Sequence, residues 1–239
     1  MANKSYQAHH LLSRDVSWGK IKTEKVIITK PPFPFRRFFF NLIYWPIRAS
    51  FSFFTHMKIS SKENLSELRG PLIIASNHLS FLDSFIIASA FPFGPKIYPI
   101  RYACWFRYFY FPVLTPFLWL LGTFPVRKGI GLEKSLKVAV NILKKGGVVG
   151  IFPEGKRAKI GHKPKGRRGA AYLAFTTKTR ILPVKIEEKS HISLINFFTR
   201  KYKIRVRFGK VFNVPYHKIS RPEDLNDLAD FIMERIREI

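Results

Sequence analysis

The stretch PLIIASNHLSFLD, residues 71–83, predicts a strand, a short polar loop and the start of a helix. Its residues 72–75 form a continuous apolar run, which is typical of a strand that is buried on both faces. The run ends in Ser76, Asn77 and His78, and Asp83 follows five residues after the histidine. The next residues, SFIIASAF at 84–91, are typical of a short helix. A titratable imidazole therefore stands where a buried strand ends.

The spacing of His78 and Asp83 allows two interpretations. On a regular helix, side chains five residues apart point about 140° away from each other, so the two meet only across a turn, which a strand–loop–helix junction supplies. An aspartate that is hydrogen-bonded to one imidazole nitrogen makes the other nitrogen a general base. Alternatively, local backbone groups satisfy His78 and Asp83 caps the following helix. The spacing alone leaves both interpretations open.

Strand and helix patterns alternate along the rest of the chain. Further strands are predicted at 96–100, 123–126, 148–152, 181–186 and 203–212, and helices at 131–147, 169–177 and from Ser220 to about Ile239. The helix at 131–147 has an apolar stripe and ends at Gly146-Gly147. This alternation predicts an α/β fold, with a single domain over residues 58–239 and a mixed or largely parallel sheet flanked by helices.

The composition limits the classes of function. The 239 residues include 42 Lys and Arg against 15 Asp and Glu, a net charge of +27, which attracts nucleic acid, anionic membranes or phosphorylated substrates. Because Cys104 is the single cysteine, an intrachain disulfide and a cysteine-based zinc site are excluded. No H-E-x-x-H pattern occurs, and we expect no metal site. Charge alone does not choose among the anionic partners.

Two segments are rich in aromatic residues and contain scattered arginines. They are PPFPFRRFFFNLIYWPIRASFSFFTHMKI at 31–59 and YACWFRYFYFPVLTPFLWLLGTF at 102–124. Neither contains the run of about 18 uncharged apolar residues that an ordinary transmembrane helix needs. Aromatic rings and arginines suit the headgroup layer of a membrane. We therefore expect residues 1–57 to form a polar arm and an interfacial helical segment for membrane association; a hairpin of helices packed on the domain is the alternative.

Polar loops after three predicted strands are the candidate site, because ligands collect at the carboxyl ends of strands in open α/β sheets. Besides His78 and Asp83, these loops contain Arg127 and Lys128 after one strand, and Glu154, Gly155, Lys156 and Arg157 after another. The cations suit a phosphate group. Glu154 either pairs with Arg157 or orients the cations and accepts a substrate hydroxyl. The basic run at 156–169 is either part of the site or a solvated face.

No G-x-S-x-G elbow surrounds Ser80 or any other serine, so a covalent serine mechanism has little support. In that case the substrate itself supplies the attacking group.

Four blocks in this order resemble the glycerolipid acyltransferase family, specifically the 1-acyl-glycerol-3-phosphate acyltransferases, over residues 57–215. NHLSFLD at 77–83 matches the family's N-H-x-S-x-x-D block, and FPEGKR at 152–157 resembles its F-P-E-G-T-R block. GTFPVRK at 122–128 and LPV at 182–184 are similar to the second and fourth blocks. Lys156 replaces the usual threonine, and Ala158 stands where serine is common. An ungapped alignment places Lys128, rather than Arg127, at the family's usual arginine.

The resemblance implies a mechanism. His78, oriented by Asp83, would deprotonate the 2-hydroxyl of lysophosphatidic acid, which attacks an acyl-CoA or acyl-acyl carrier protein thioester with no acyl-enzyme and no cofactor. The product would be phosphatidic acid. The glycerol phosphate would be held by Glu154, Gly155, Lys156 and Arg157, by Arg127 or Lys128, and by Arg101, which falls near a position where the family often has lysine.

The resemblance also implies an anionic membrane surface as partner, with the protein peripheral or monotopic on the cytoplasmic face of the cell membrane. Two alternative functions compete with this one. The first is acyl transfer to a different lysophospholipid acceptor, and the second is nucleic-acid binding by a basic protein, in which aromatics such as those at 98–111 stack on bases. No RNP1, zinc-finger or KH signature occurs, so we expect no nucleic-acid partner.

Overall fold

The computed structural model describes residues 36–66, 68–91, 97–158, 164–188, 199, 202–215 and 224–239. The strands in these residues are β1 Thr55–Ser60, β2 Leu72–Ser76, β3 Ile100–Trp105, β4 Phe124–Val126, β5 Val148–Ile151, β6 Ile181–Glu188 and β7 Tyr202–Phe208. The α-helices are α1 Arg36–Phe54, α2 Asp83–Ala90, α3 Leu114–Leu120, α4 Leu132–Lys144, α5 Arg168–Thr177 and α6 Asp224–Arg237. Two 3-10 helices span Lys62–Leu65 and Phe106–Tyr110.

The strands form a sheet in the order β1-β7-β6-β2-β5-β3-β4. Neighbouring strands are parallel except for β6 and β7, which are antiparallel. The predicted α/β fold with a largely parallel sheet flanked by helices is thus confirmed. The central strand β2 lies between β5 and β6, so the loop that carries His78 leaves the middle of the sheet.

Alternate residues of β2 pack into two separate hydrophobic cores, which explains why the whole strand is apolar. Ile73 and Ala75 contact the layer formed by α4, α5 and α6, whereas Leu72 and Ile74 contact the layer that includes α1 and α2. All four side chains are buried. Burial of one such aliphatic side chain contributes about 1.5–3 kcal/mol to stability, so the loop after β2 starts from a rigid support.

The third strand differs from its prediction. The sequence predicted a strand at 96–100, but β3 begins at Ile100 and extends to Trp105. Pro99 directly before it has no N–H for a sheet hydrogen bond, and the buried residues Ile100 and Tyr102 alternate with half-buried ones, as in a strand. The first four residues of the aromatic segment at 102–124 therefore belong to the sheet.

The first helix, α1, packs against α2 on one side. Arg48 donates hydrogen bonds to the carbonyl oxygens of Ser89 at 3.1 Å and Phe91 at 2.6 Å, where α2 ends. The other side of α1 exposes Leu42, Trp45 and Phe53 to more than half of their full area. Within the described residues, no helix is both long enough and apolar enough to cross a bilayer.

The sequence predicted that the N-terminal membrane-association region ends at residue 57 and that the α/β domain begins at residue 58. This boundary falls inside β1, which pairs with β7 along its whole length.

Candidate active site

The loop between β2 and α2 brings His78 and Asp83 together. The His78 Nδ1 and Asp83 Oδ2 atoms are 2.7 Å apart. The Asp83 side chain is completely buried, and that of His78 keeps 21% of its area exposed. Among the described residues no hydrogen bond is formed to the other ring nitrogen, Nε2. With the proton held on Nδ1 by the carboxylate, Nε2 carries the free lone pair that a general base needs.

The Asp83 carboxylate is oriented by donors from the loop that precedes it. Its Oδ2 atom accepts hydrogen bonds from the backbone N–H groups of Leu79 at 2.6 Å and Ser80 at 2.9 Å, in addition to the imidazole. The Ser80 hydroxyl donates to Oδ1 at 3.0 Å and accepts from the Leu82 N–H. Asp83 therefore closes the loop around His78 rather than only capping α2, and the buried Ser80 hydroxyl supports the carboxylate.

Asn77 fixes the position of the chain directly before the histidine. Its side-chain amide donates to the Ile186 carbonyl oxygen at 2.9 Å and accepts from the Ile186 N–H at 2.7 Å. These two bonds continue the pairing of β2 with β6 by one more residue. The Asn77 side chain thus takes the place of a backbone group in the sheet pairing. It fixes the position of the residue directly before His78.

Aromatic rings support one side of the His78 imidazole. The ring stacks on Phe152 with centroids 4.1 Å apart and planes inclined by 13°. Phe152 lies next to the Tyr102 ring at 5.9 Å. A Cβ atom at Gly150 would overlap Tyr102, so only glycine allows this stack at that point of β5. The imidazole plane is therefore set by packing as well as by Asp83.

The loop after β5 holds the backbone of His78 on both sides. The His78 N–H donates to Glu154 Oε1 at 3.3 Å, and its carbonyl oxygen accepts from the Ala158 N–H at 2.7 Å. Between them, Gly155 has a φ of +63°, a left-handed conformation that favours glycine. The side chains of Lys156 and Arg157 are exposed. Two loops that are more than 70 residues apart in sequence thus form one unit.

Glu154 is, besides Asp83, the second buried carboxyl group of this unit. It is 3% exposed, and its Oε2 atom has no hydrogen-bond partner. Burial raises its pKa, which the N–H and the nearby ring of His78 partly oppose. Of the two alternatives drawn from the sequence, the pairing of Glu154 with Arg157 is absent in this part of the structure. Glu154 instead contacts the main chain of His78.

The comparisons with known proteins identify the family of the chain. Residues 56–187, more than half of the chain, match the family described as Acyltransferase. The chain belongs to the acyltransferase family. The resemblance drawn from the four sequence blocks is thereby confirmed, and the described contacts join the first block to the third.

Relatives of this acyltransferase carry a more specific name. A chloroplastic 1-acyl-sn-glycerol-3-phosphate acyltransferase of Arabidopsis thaliana is 30% identical over 158 residues, which cover 63% of this chain and 42% of the relative. The 1-acyl-sn-glycerol-3-phosphate acyltransferase of Bacillus subtilis is 27% identical over 184 residues, covering 77% and 87%. The chain thus spans less than half of the plant relative's length.

A solved structure with a similar fold is that of the 1-acyl-sn-glycerophosphate acyltransferase from Thermotoga maritima. It superposes with a TM-score of 0.62 at 19% identity, covering 85% of this chain and 80% of that one. This likeness supports the fold.

The two cations of the second sequence block, Arg127 and Lys128, contact different parts of the acyltransferase. The Lys128 ammonium donates to the Gly155 carbonyl oxygen at 2.8 Å. The Arg127 guanidinium instead lies over the Phe106 ring, 5.1 Å from its centroid. Lys128 therefore stands at the loop after β5, and Arg127 contacts the aromatic segment.

One cation at this loop was missed from the sequence. The Arg167 side chain donates from Nε to the Glu154 carbonyl oxygen at 3.1 Å, and the Arg167 backbone N–H donates to the Pro153 carbonyl oxygen at 2.7 Å. A side chain at Gly155 would collide with it. Partial burial, together with the charges of Arg167 and Lys156, lowers the pKa of Lys128. The signal for Arg167 was its place in the basic run directly before α5, but residues 159–163 of that run lie outside the described part of the chain.

Arg101 and Cys104 lie in β3. Arg101 pairs with Val149, the second residue of β5, whereas the site residues follow the end of β5. Arg101 is thus placed within the sheet, before the edge that carries His78.

Burial raises the pKa of the Cys104 thiol to about 11, so Cys104 is a neutral group at physiological pH. Within the described residues, no cluster of His, Cys, Asp and Glu side chains could hold a metal ion.

Proposed function

We propose that this acyltransferase moves a fatty acyl group from a thioester to the 2-hydroxyl of 1-acyl-glycerol-3-phosphate. The observation that carries the proposal is the 2.7 Å contact of His78 with the fully buried Asp83, next to a loop that displays cations. The names of the relatives support the acceptor, because both are 1-acyl-sn-glycerol-3-phosphate acyltransferases.

The reaction needs one base and no covalent enzyme intermediate. His78 Nε2 takes the proton of the acceptor hydroxyl as its oxygen attacks the thioester carbonyl carbon. The tetrahedral intermediate collapses, the C–S bond breaks, and the thiolate takes the proton back from the imidazolium. The imidazolium is stabilised throughout by the Asp83 carboxylate. General-base assistance of this kind contributes roughly 10²- to 10⁴-fold to the rate.

The proposal is tested by acyl transfer from radiolabelled acyl-CoA or acyl-acyl carrier protein to 1-acyl-glycerol-3-phosphate in mixed micelles. Labelled phosphatidic acid is the expected product with at least one donor. If the protein acylates a different lysophospholipid and forms no phosphatidic acid, the proposed acceptor is wrong and that lysophospholipid takes its place. If no lysophospholipid is acylated, the proposal is overturned.

The cations at the loop after β5 are assigned to the acceptor phosphate. Lys156 and Arg157 are exposed there, and Lys128 and Arg167 are attached to the same loop. Four cations from three chain segments thus surround one loop. Hydrogen bonds between cations and phosphate are among the stronger polar contacts of proteins.

Removal of two of these cations should weaken acceptor binding selectively. We expect the double substitution Lys156→Ala/Arg157→Ala to raise the KM for 1-acyl-glycerol-3-phosphate by about tenfold or more, because each charged hydrogen bond contributes about 1.5–3 kcal/mol. The KM for the acyl donor should change little. Initial rates at varied concentrations of each substrate measure both constants.

A matched control is Lys144→Ala/Lys145→Ala, which removes two exposed cations at the opposite edge of the sheet, before β5. Equal rises of the two KM values in the Lys156→Ala/Arg157→Ala protein would contradict the assignment, as would an equal effect of the control.

We also infer that the acyltransferase lies on a membrane surface through its exposed aromatic residues, peripheral or monotopic on the cytoplasmic face of the cell membrane. Large apolar side chains are exposed on α1 and on the segment from β3 to α3, and α1 lies beside α3; they are Leu42, Trp45, Phe53, Trp105, Tyr108, Tyr110, Phe111, Val113 and Phe117. Contiguous patches of this kind mark surfaces that bind membranes or partners, and the net charge of +27 favours anionic lipid.

The substitution Trp45→Ser/Phe53→Ser should lower binding to anionic vesicles by more than about tenfold, since insertion of each side chain contributes roughly 1.5–3 kcal/mol. Cosedimentation with vesicles of mixed anionic and zwitterionic lipid measures the bound fraction. Both side chains are exposed, so thermal unfolding should stay unchanged. Unaltered sedimentation of a folded variant would refute this membrane surface.

A further inference from the structure

A charged face of the sheet lies outside the site described above. Successive strand residues point to opposite faces. In β1, β7 and β6 the residues facing away from the α1 and α2 layer are polar, and they are His56, Lys58, Lys185, Glu187, Lys203, Arg205 and Arg207. Among the described helices, α6 reaches this face only at its end, where the Arg237 carbonyl oxygen accepts from Lys185 at 2.7 Å. The rest of the face is not covered by a described helix.

This face contains a cavity of about 460 Å³, within the size range of small-molecule sites. Its lining residues come from three neighbouring strands and are His56, Lys58, Glu187, Lys203, Ile204 and Arg205. The strand pairing places His56 beside Lys203, and Lys58 beside Arg205. The cations therefore converge on one depression instead of being scattered over the surface.

The cavity keeps an excess of positive charge. Its one carboxylate, Glu187, is already shared by Arg207 at 3.0 Å, Arg205 at 3.6 Å and Lys185 at 4.0 Å. Lys58 and Lys203 have no acidic partner among the described residues. Because the chain has 42 Lys and Arg residues against 15 Asp and Glu residues, unpaired cations are common on its surface; this face differs in that its cations lie on adjacent strands around one concave space. The cavity is therefore suited to a ligand with several negative charges.

The lining residues of the cavity lie at the end of the sheet from which His78 projects. The Ile186 backbone is bonded to the Asn77 side chain, directly before His78, and Glu187 is the next residue of β6. Glu187 pairs with Arg205 of β7. Since neighbouring strands lie about 4.8 Å apart, β7 is roughly 10 Å and β1 roughly 14 Å from β2 across the sheet. The His78 ring stacks on Phe152, which packs on the α1 and α2 side of the sheet, so a ligand bound in the cavity reaches the imidazole by passing around this end of the sheet. The lateral distance is short enough for one extended ligand to do so.

We propose that this cavity binds the nucleotide phosphates of a coenzyme A thioester, and the assignment rests on the proposed acyl transfer. Coenzyme A carries a diphosphate and a 3′-phosphate at one end and its sulfur at the other. The pantetheine arm between them is about a dozen bonded atoms long, with bonds like those of the backbone, and spans the lateral distance to His78. The donor thus approaches from the face opposite α1, whereas the acceptor phosphate lies at the loop after β5.

The first measurement is binding of adenosine 3′,5′-bisphosphate to the full chain by titration calorimetry. The wild-type protein should bind it, and Lys58→Ala/Lys203→Ala should weaken binding by about tenfold or more. Both side chains are exposed, so the variant should fold. The control Lys144→Ala/Lys145→Ala, with the same change of charge, should bind as the wild type does. No binding by the wild-type protein, or an equal loss in the control, would overturn the proposal.

The second measurement compares acyl-CoA with acyl-pantetheine, which has the same thioester and no nucleotide. Lys58→Ala/Lys203→Ala should raise the KM for acyl-CoA by about tenfold or more, and leave acyl-pantetheine and the acceptor unchanged. An equal effect on both thioesters would overturn the nucleotide site. A rise in KM that is confined to acyl-acyl carrier protein would also overturn the nucleotide site. It would indicate that this face binds an acidic carrier protein.

If the wild-type protein transfers no acyl group from any thioester, the proposed reaction fails, and the calorimetric result alone decides whether the cavity is a nucleotide site.

Discussion

The substitution His78→Ala should reduce acyl transfer by roughly 10²- to 10⁴-fold, the usual contribution of a general base. The reason is specific to the geometry. Nδ1 is bonded to Asp83 at 2.7 Å, and the chain offers no second imidazole within the described site. Initial rates with saturating 1-acyl-glycerol-3-phosphate and acyl thioester measure the loss, which should fall on kcat because the cations assigned to the acceptor phosphate remain.

The fold of the His78→Ala protein is checked separately. Its backbone bonds to Glu154 and Ala158 do not involve the removed side chain, so the loops should keep their positions, with some loss of stability from the lost stacking on Phe152. Free imidazole added to the variant should restore part of the rate by entering the vacated space. Wild-type rates without added imidazole would remove His78 from the mechanism.

The second large effect is expected for Asp83→Asn, with kcat lower by roughly 10²- to 10⁴-fold, as for other histidines deprived of their carboxylate. The amide oxygen can replace Oδ2, which accepts from His78, Leu79 and Ser80. Its NH2 group then faces the Ser80 hydroxyl, which can turn. The shape of the loop is kept, but the negative charge that stabilises the imidazolium is lost.

A graded control for this prediction is Ser80→Ala. It removes one hydrogen bond, the 3.0 Å contact to Oδ1, and leaves the charge and the three donors to Oδ2. We expect a loss of at most about tenfold, since a single neutral hydrogen bond contributes about 0.5–1.5 kcal/mol. KM values for both substrates should change little in either variant. Losses of similar size in Ser80→Ala and Asp83→Asn would show that the carboxylate acts only through loop stability.

Much of the fold followed from local patterns. The continuous apolar run before Ser76 identified the central strand, and the paired glycines at 146–147 marked the end of α4. The contact of His78 with Asp83 was one of two interpretations that the spacing left open, and the structure selects it because a turn lies between the two residues. These features depend on neighbours within about a dozen residues, which a single sequence displays directly.

The remaining features depend on contacts between distant segments. Whether Arg127 or Lys128 reaches the loop after β5 depends on the position of the Phe106 ring, and Arg167 joins the same loop only after α5 has packed. The basic cavity combines residues near 57 with residues near 204, and these strands become neighbours only in the folded sheet. No local pattern predicts such pairings. The start of β3 was missed because proline and aromatic residues obscured its alternation.

The attachment of the His78 backbone to the loop after β5 has a consequence for how the acceptor's binding energy is used. Glu154 and Ala158 hold the two sides of the histidine main chain, and Lys156 and Arg157 lie between them in the same short segment. In the proposed reaction, a phosphate bound by these two cations would therefore tighten the support of the imidazole itself. The binding energy of a group remote from the reacting hydroxyl would then serve to position the base. An acceptor without its phosphate should thus be transformed more slowly even when it saturates the enzyme.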